Sequence, residues 1–143
     1  MKKLERILLV DDDRITNYVN QNLISKYDYA AEIITRNSAK DALTYLQQDC
    51  KNEEKYPQLI LLDLKMPGMD GFDFLKEFEN FFHDLKENII IVILTTSQAA
   101  DDVIRLRELG NYFLINKPLT GDKLFDIHHR FFRFMNPPSS KLA

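Results

Sequence analysis

The sequence predicts an α/β fold, a parallel sheet with helices on both faces. Short runs rich in Ile, Leu and Val alternate with longer segments of helical period, and five such pairs can be counted. At 143 residues the chain fits one domain, large enough to bury a core without staples.

The elements follow in order. The first strand is "RILLV", residues 6–10, and the first helix runs over 15–26 behind Asp13, whose carboxylate suits an N-cap. A second strand at 32–35 leads to a helix over 39–48 capped by Ser38. The polar "DCKNEEKYP" then reads as a solvated connection. The third strand, 58–62, precedes the turn "MPGMDG" and a helix over 72–82 capped by Asp70, on which Phe72, Leu75, Phe78 or Glu79, and Phe82 trace one face. The fourth strand, 89–94, is followed by a helix over 101–109 that Gly110 closes. The fifth strand, 112–115, leads to a last helix over 123–135 capped by Thr120. "NPPSSKLA", with two prolines and no periodicity, is expected to fray, which leaves a domain over 1–135 and a flexible tail over 136–143.

Composition narrows the function. A formal net charge of -3 with 29% charged residues offers no broad basic surface, so nucleic acid is not an expected partner. The longest apolar stretch, around residues 89–94, falls far short of the roughly 20 residues that a membrane span needs. The single Cys50 cannot form an internal disulfide and reads as an inert thiol. The opening "MKKLERILLVDDD" turns acidic too soon for a signal peptide, and "SKL" is followed by Ala143, so the expected location is cytoplasmic. Four glycines form neither GxGxxG nor GxxxxGK, which leaves nucleotide binding unsupported.

In open parallel sheets, ligand chemistry gathers at the carboxyl ends of the strands. There the first strand ends in Asp11, Asp12 and Asp13, the third in Asp63, the fourth in Thr95, Thr96 and Ser97, and the fifth reaches Lys117 and Pro118. If those strands are neighbours, several carboxylates, a hydroxyl and an ammonium converge. Clustered carboxylates raise one another's pKa unless countered, and oxygen ligands at this density suit a hard divalent cation such as Mg²⁺. "DDDRITN" is no calcium loop, because Thr16 stands where such a loop needs glycine.

Taken together, "ILLVDDD", "LILLDLKMPGMDG", "VILTTS" and "INKP", in this order, resemble the receiver domain of two-component response regulators. Thr95 follows Asp63 by 32 residues and Lys117 follows Thr95 by 22, intervals that fit the family. The resemblance implies a flavodoxin-like, doubly wound (βα)5 three-layer sandwich with strand order 2-1-3-4-5. It implies that Asp63 accepts a phosphoryl group from the phosphohistidine of a histidine kinase or histidine phosphotransfer protein. Asp11, Asp12, Asp63 and the backbone carbonyl of Lys65 would hold Mg²⁺, for which Mn²⁺ could substitute. Thr95 would bond a phosphoryl oxygen, Lys117 would pair with its charge, and the Lys117-Pro118 bond would be cis. These roles agree with the physics of phosphoryl transfer, in which positioning and charge neutralisation do most of the work.

Two positions depart from the family. Leu114 stands where an aromatic ring often turns inward on phosphorylation, so the aromatic half of that switch is missing. Thr96, beside the phosphate entrance, replaces an often smaller residue, and with Lys65 and Ser97 it is expected to tune the acyl phosphate's lifetime. Output is expected through an unknown downstream protein or a homodimer, formed on the face of the fourth helix, fifth strand and fifth helix. There Leu124, Phe125, Ile127, Phe131, Phe132 and Phe134 exceed what a one-sided helix buries. Tyr18, Asn20 and Asn22 on the first helix are expected surface residues that set partner choice. His83, His128 and His129 match no ligand motif and read as surface residues.

Two other functions compete. A receiver-like adaptor would bind partners without phosphorylation. A phosphohydrolase with an aspartyl-phosphate, resembling the haloacid dehalogenase superfamily, needs a second acid two residues after the nucleophile, where this chain has Lys65. The expectation is a non-enzymatic phosphoacceptor.

Overall fold

The computed structural model describes residues 3–50, 55–85, 88–96 and 99–133. Five strands, β1 (Leu4–Val10), β2 (Ala30–Arg36), β3 (Leu59–Leu62), β4 (Ile90–Thr95) and β5 (Phe113–Asn116), form one sheet in the order β2-β1-β3-β4-β5. Every pairing is parallel. The helices are α1 (Arg14–Lys26), α2 (Ala39–Thr44), α3 (Gly71–Phe82), α4 (Ala100–Leu109) and α5 (Gly121–Ile127). This is the doubly wound α/β sandwich that the sequence predicts.

Side-chain alternation along the strands divides the core in two. Leu8, Val10, Ile60, Leu62, Ile91 and Ile93 pack under α2, α3 and α4, while Ile7, Leu9, Leu59, Leu61, Val92 and Leu94 pack under α1 and α5. With both faces covered, the three central strands are apolar nearly throughout, and their ends are rigid mounts.

The expected caps form. Asp13, Ser38, Asp70 and Thr120 each accept an amide hydrogen bond at a helix start, and Asp70 and Asp73 bond reciprocally as a capping box. Gly110 closes α4 at φ 158°.

Several expectations need correction. The second helix does not run to residue 48 as an α-helix; from Tyr45 to Asp49 it continues as a π-helical turn. The Cys50 amide donates to Tyr45 O at 3.3 Å, and the wider turn sends Tyr45, Leu46 and Cys50 all inward. The last helix likewise changes to a π-helical turn over His128–Phe132, and its expected end at residues 134–135 lies outside the described residues, as does the tail. The segment after Cys50 is not simply a solvated connection: Cys50 and Pro57 are buried, and the Tyr56 ring meets Phe82 edge-on, while 51–54 lie outside the described residues. On α3, Phe74 is buried with the expected face, because α2 covers the side the sheet does not reach. Asn20 is 6% exposed, so it is not a surface residue, whereas Tyr18 and Asn22 are exposed. His128 is half-buried against the edge of Tyr29, unlike the exposed His83 and His129. Of the apolar residues at the last helix, Leu124, Ile127 and Phe132 are core, Phe125 and Phe131 are exposed, and Phe134 lies outside the described residues.

Candidate functional site

The chemistry-bearing side chains stand on the carboxyl ends of four adjacent strands. The backbone ladder extends one residue past each strand to hold them: the Asp11 amide donates to Arg36 O (3.2 Å), Asp63 to Val10 O (3.0 Å) and Lys117 to Thr95 O (3.0 Å). Below Asp11, the Asn17 amide group donates to Asp11 O (3.0 Å), Arg36 O (3.3 Å) and Asn37 Oδ1 (3.1 Å). One buried side chain thereby ties α1 to the ends of β1 and β2. Sequence reading passed over Asn17. Its signal was inverted amphipathicity, since α1 buries Asn17 and Asn20 but exposes Ile15, Tyr18 and Val19.

Asp11 and Asp63 are each 5% exposed and Thr95 is fully buried. The Lys117 ammonium lies 2.6 Å from Asp11 Oδ2 and 3.4 Å from Asp63 Oδ2, so one cation bridges two carboxylates. Asp11 also accepts from the Asp13 amide at 2.9 Å, and Asp63 receives a longer bond, 3.5 Å, from the Lys65 amide. Burial, then the charge of Asp11, pushes the Asp63 carboxyl above the usual carboxylate range, with Lys117 pulling against the shift. Burial works to lower the Lys117 pKa, but its hydrogen bond to Asp11 and the two carboxylate charges together hold it above its ordinary value.

Asp12 is exposed at the rim, and ligand oxygens of Asp11, Asp12 and Asp63 all lie within 4.8 Å of one another. With all groups ionised, these three carboxylates and Lys117 leave two negative charges uncompensated. A hard divalent cation with oxygen preference fits both that charge and that donor set.

The remaining expected residues are placed as follows. Lys65 turns its side chain outward to Asp102 of α4, with Nζ 3.2 Å from Oδ1 and 3.1 Å from Oδ2. Thr96 is exposed, and Ser97 lies outside the described residues. Leu114, opposite Ile93 on β5, is half-buried against the α3 and α4 side of the core. Pro118 is exposed and follows a cis bond. Gly68 adopts φ 72°, a left-handed conformation that other residues rarely take. Gly71 does not: a Cβ there would stand 2.5 Å from Asp63 O and 2.7 Å from Leu64 Cα, so its role is close approach of α3 to the mouth of β3. Asp102 is the second residue the sequence reading missed, because an acid in the first turn of a helix is ordinary.

Comparison with known proteins gives a consistent result. The family model described as "response regulator receiver domain" matches residues 7–129. Response regulator Rcp1 of Synechocystis sp. is 38% identical over 104 residues, covering 72% of this chain and 69% of its own length. Sporulation initiation phosphotransferase F of Bacillus subtilis is 32% identical over 122 residues, covering 85% and 89%. Other relatives are much longer, and the chain spans 5% of one and 30% of another. A two-component response regulator from Cytophaga hutchinsonii superposes with a TM-score of 0.80 at 26% identity, over 91% of this chain and 98% of the other.

Proposed function

Since the chain belongs to the response regulator receiver domain family, we propose that it is a phosphoacceptor signalling protein whose acceptor is Asp63. The observation that carries this reading is the buried Asp11–Lys117–Asp63 arrangement at 2.6 and 3.4 Å, on the mouths of β1, β3 and β5. A carboxylate aimed by a rigid strand end loses little freedom on reaction. Its oxygen forms the new P–O bond as the P–N bond of a phosphohistidine breaks, and the electron pair of that bond leaves on the imidazole nitrogen. Lys117 neutralises charge on the incoming phosphoryl group, and Thr95, at the end of β4, offers a hydroxyl to an equatorial oxygen.

Asp11, Asp12, Asp63 and the Lys65 main-chain carbonyl would hold Mg²⁺, or Mn²⁺ in its place. When bound, the ion supplies the positive charge that the carboxylate cluster lacks. The donor is a histidine kinase or histidine phosphotransfer protein. Its docking face is the exposed apolar side of α1, with Ile15 74%, Tyr18 65% and Val19 55% exposed, next to Pro118. An outward-facing apolar stripe beside the acceptor suits a helix bearing a histidine. The receiver unit is taken as residues 1–135, and its output runs through protein contacts rather than catalysis.

Intact-protein mass after incubation with acetyl phosphate tests this. A gain of one phosphoryl group, about 80 Da, is expected in the parent with Mg²⁺ and not in Asp63→Asn. No gain in the parent would favour the adaptor that works without phosphorylation, a reading supported by Leu114 alone.

A further inference from the structure

The amino ends of β4 and β5, opposite the strand mouth that carries Asp63, hold a second group of charged side chains. Elsewhere Arg6 pairs with Glu32 at 3.0 Å, and Arg36 donates to Thr35 O at 2.7 Å. Arg107, in the last turn of α4, and Arg130, in the π-helical turn after α5, form no ion pair among the described residues. Although Asp126 lies one turn earlier, Arg130 instead places its guanidinium 4.1 Å over the Phe113 ring.

Both arginines line one cleft of about 330 Å³, which Tyr112, Phe113 and Phe131 wall with aromatic rings and no carboxylate enters. A Cβ on Gly110 would stand 3.0 Å from Tyr112 Cε2, so the glycine after α4 makes room for that ring. Burial, then the charge of Glu79, pushes the Tyr112 phenol above its ordinary value, and this wall stays neutral at pH 7. The same three rings border an adjoining cavity of about 370 Å³ that runs inward to Phe78 and Ile89. Glu79 lines that second cavity only, so the two together have a cationic end and an apolar end.

We propose that this paired cleft binds a small aromatic phosphate ester, with the phosphate between Arg107 and Arg130 and the ring system against Tyr112 and Phe113. Two unpaired guanidiniums beside each other repel until an anion joins them. A guanidinium fits phosphate through two parallel N–H bonds and can stack on a flat group at the same time, and Phe113 already fixes the plane of Arg130. Each cavity lies within the roughly 300–1,000 Å³ of small-molecule sites. The site is separate from Asp63 and does not rest on its being an acceptor.

The test is a titration of 1-naphthyl phosphate into the isotope-labelled full chain, followed by amide chemical shifts, with chelator present so that the carboxylate cluster takes up no divalent ion. Saturable shifts are expected at residues 106–113 and 130–131. Inorganic phosphate and 1-naphthol, each half of the probe, are expected to bind about tenfold more weakly or worse. Arg107→Gln and Arg130→Gln should each weaken 1-naphthyl phosphate about tenfold. Lys40→Gln, which removes an equal charge from α2, and Asp63→Asn should bind as the parent does. Absence of saturable shifts at these residues, 1-naphthol binding as tightly as its phosphate, or an equal loss in Lys40→Gln and Arg107→Gln would overturn the proposal. Each of those results would leave the reading of Asp63 standing.

Discussion

The Lys117 ammonium sits closer to Asp11, at 2.6 Å, than to Asp63, at 3.4 Å. The cation's stronger partner is thus the carboxylate proposed for metal binding, and the proposed acceptor is left under-neutralised. Burial first, and then the nearby Asp11 charge, raise the Asp63 pKa against the pull of Lys117.

A pH dependence follows from that direction. A carboxyl that holds its proton more tightly folded than unfolded favours folding most at a pH below its unfolded pKa, about 3.9 for Asp, and that contribution is lost as pH rises through the higher folded value. Without divalent ions, Asp63→Asn is therefore expected to melt above the parent at pH 7, with the difference shrinking toward pH 4. Scanning calorimetry with chelator present measures it, and a variant no more stable than the parent at pH 7 would contradict the account.

Lys117→Met should expose the repulsion that the lysine now balances. Removing one partner of a buried ion pair costs about 3–5 kcal/mol. Mg²⁺ is expected to restore part of the loss by supplying the missing positive charge. Urea denaturation with and without Mg²⁺ reads both effects, and an equal loss in the two conditions would count against a cation at this cluster.

Gly71→Ala forces a methyl group against Asp63 O and Leu64 Cα. We expect a loss of about 1–3 kcal/mol, typical of overpacking, together with slower uptake from acetyl phosphate because the backbone carrying Asp63 must shift. A variant that folds with parental stability would show that α3 can back away at no cost.

The two faces of α3 separate packing from exposure. Phe78, 1% exposed and stacked between Phe74 and Phe82 with ring centroids at 6.1 and 5.4 Å, should cost about 3–5 kcal/mol as Phe78→Ala. Phe81, 62% exposed, should change stability by no more than about 0.5 kcal/mol as Phe81→Ala. Chemical denaturation midpoints of the two variants decide it.

The three central strands were legible because a sheet covered on both faces makes them apolar at consecutive positions, as in residues 7–10, Leu59–Leu62 and 90–94. The helix starts were legible because Asp13, Ser38, Asp70 and Thr120 act on amides two or three residues away, an interaction within reach of local sequence. Departures came where the outcome depended on distant partners. The π-helical turn at Tyr45–Asp49 follows from burying Tyr45, Leu46 and Cys50 together, and the burial of Phe74 follows from the position of α2.

By itself, the sequence determined the elements, their caps and the residue types at the strand mouths, because these follow from periodicity and short-range hydrogen bonding. Tertiary structure alone decided which charges meet. Lys117 leans on Asp11, Asn17 spans the ends of two strands, and Lys65 reaches Asp102 across 37 positions of chain. Ion pairs and buried polar contacts act over a few ångströms in space, and distance in space is set only when the sheet brings remote segments side by side.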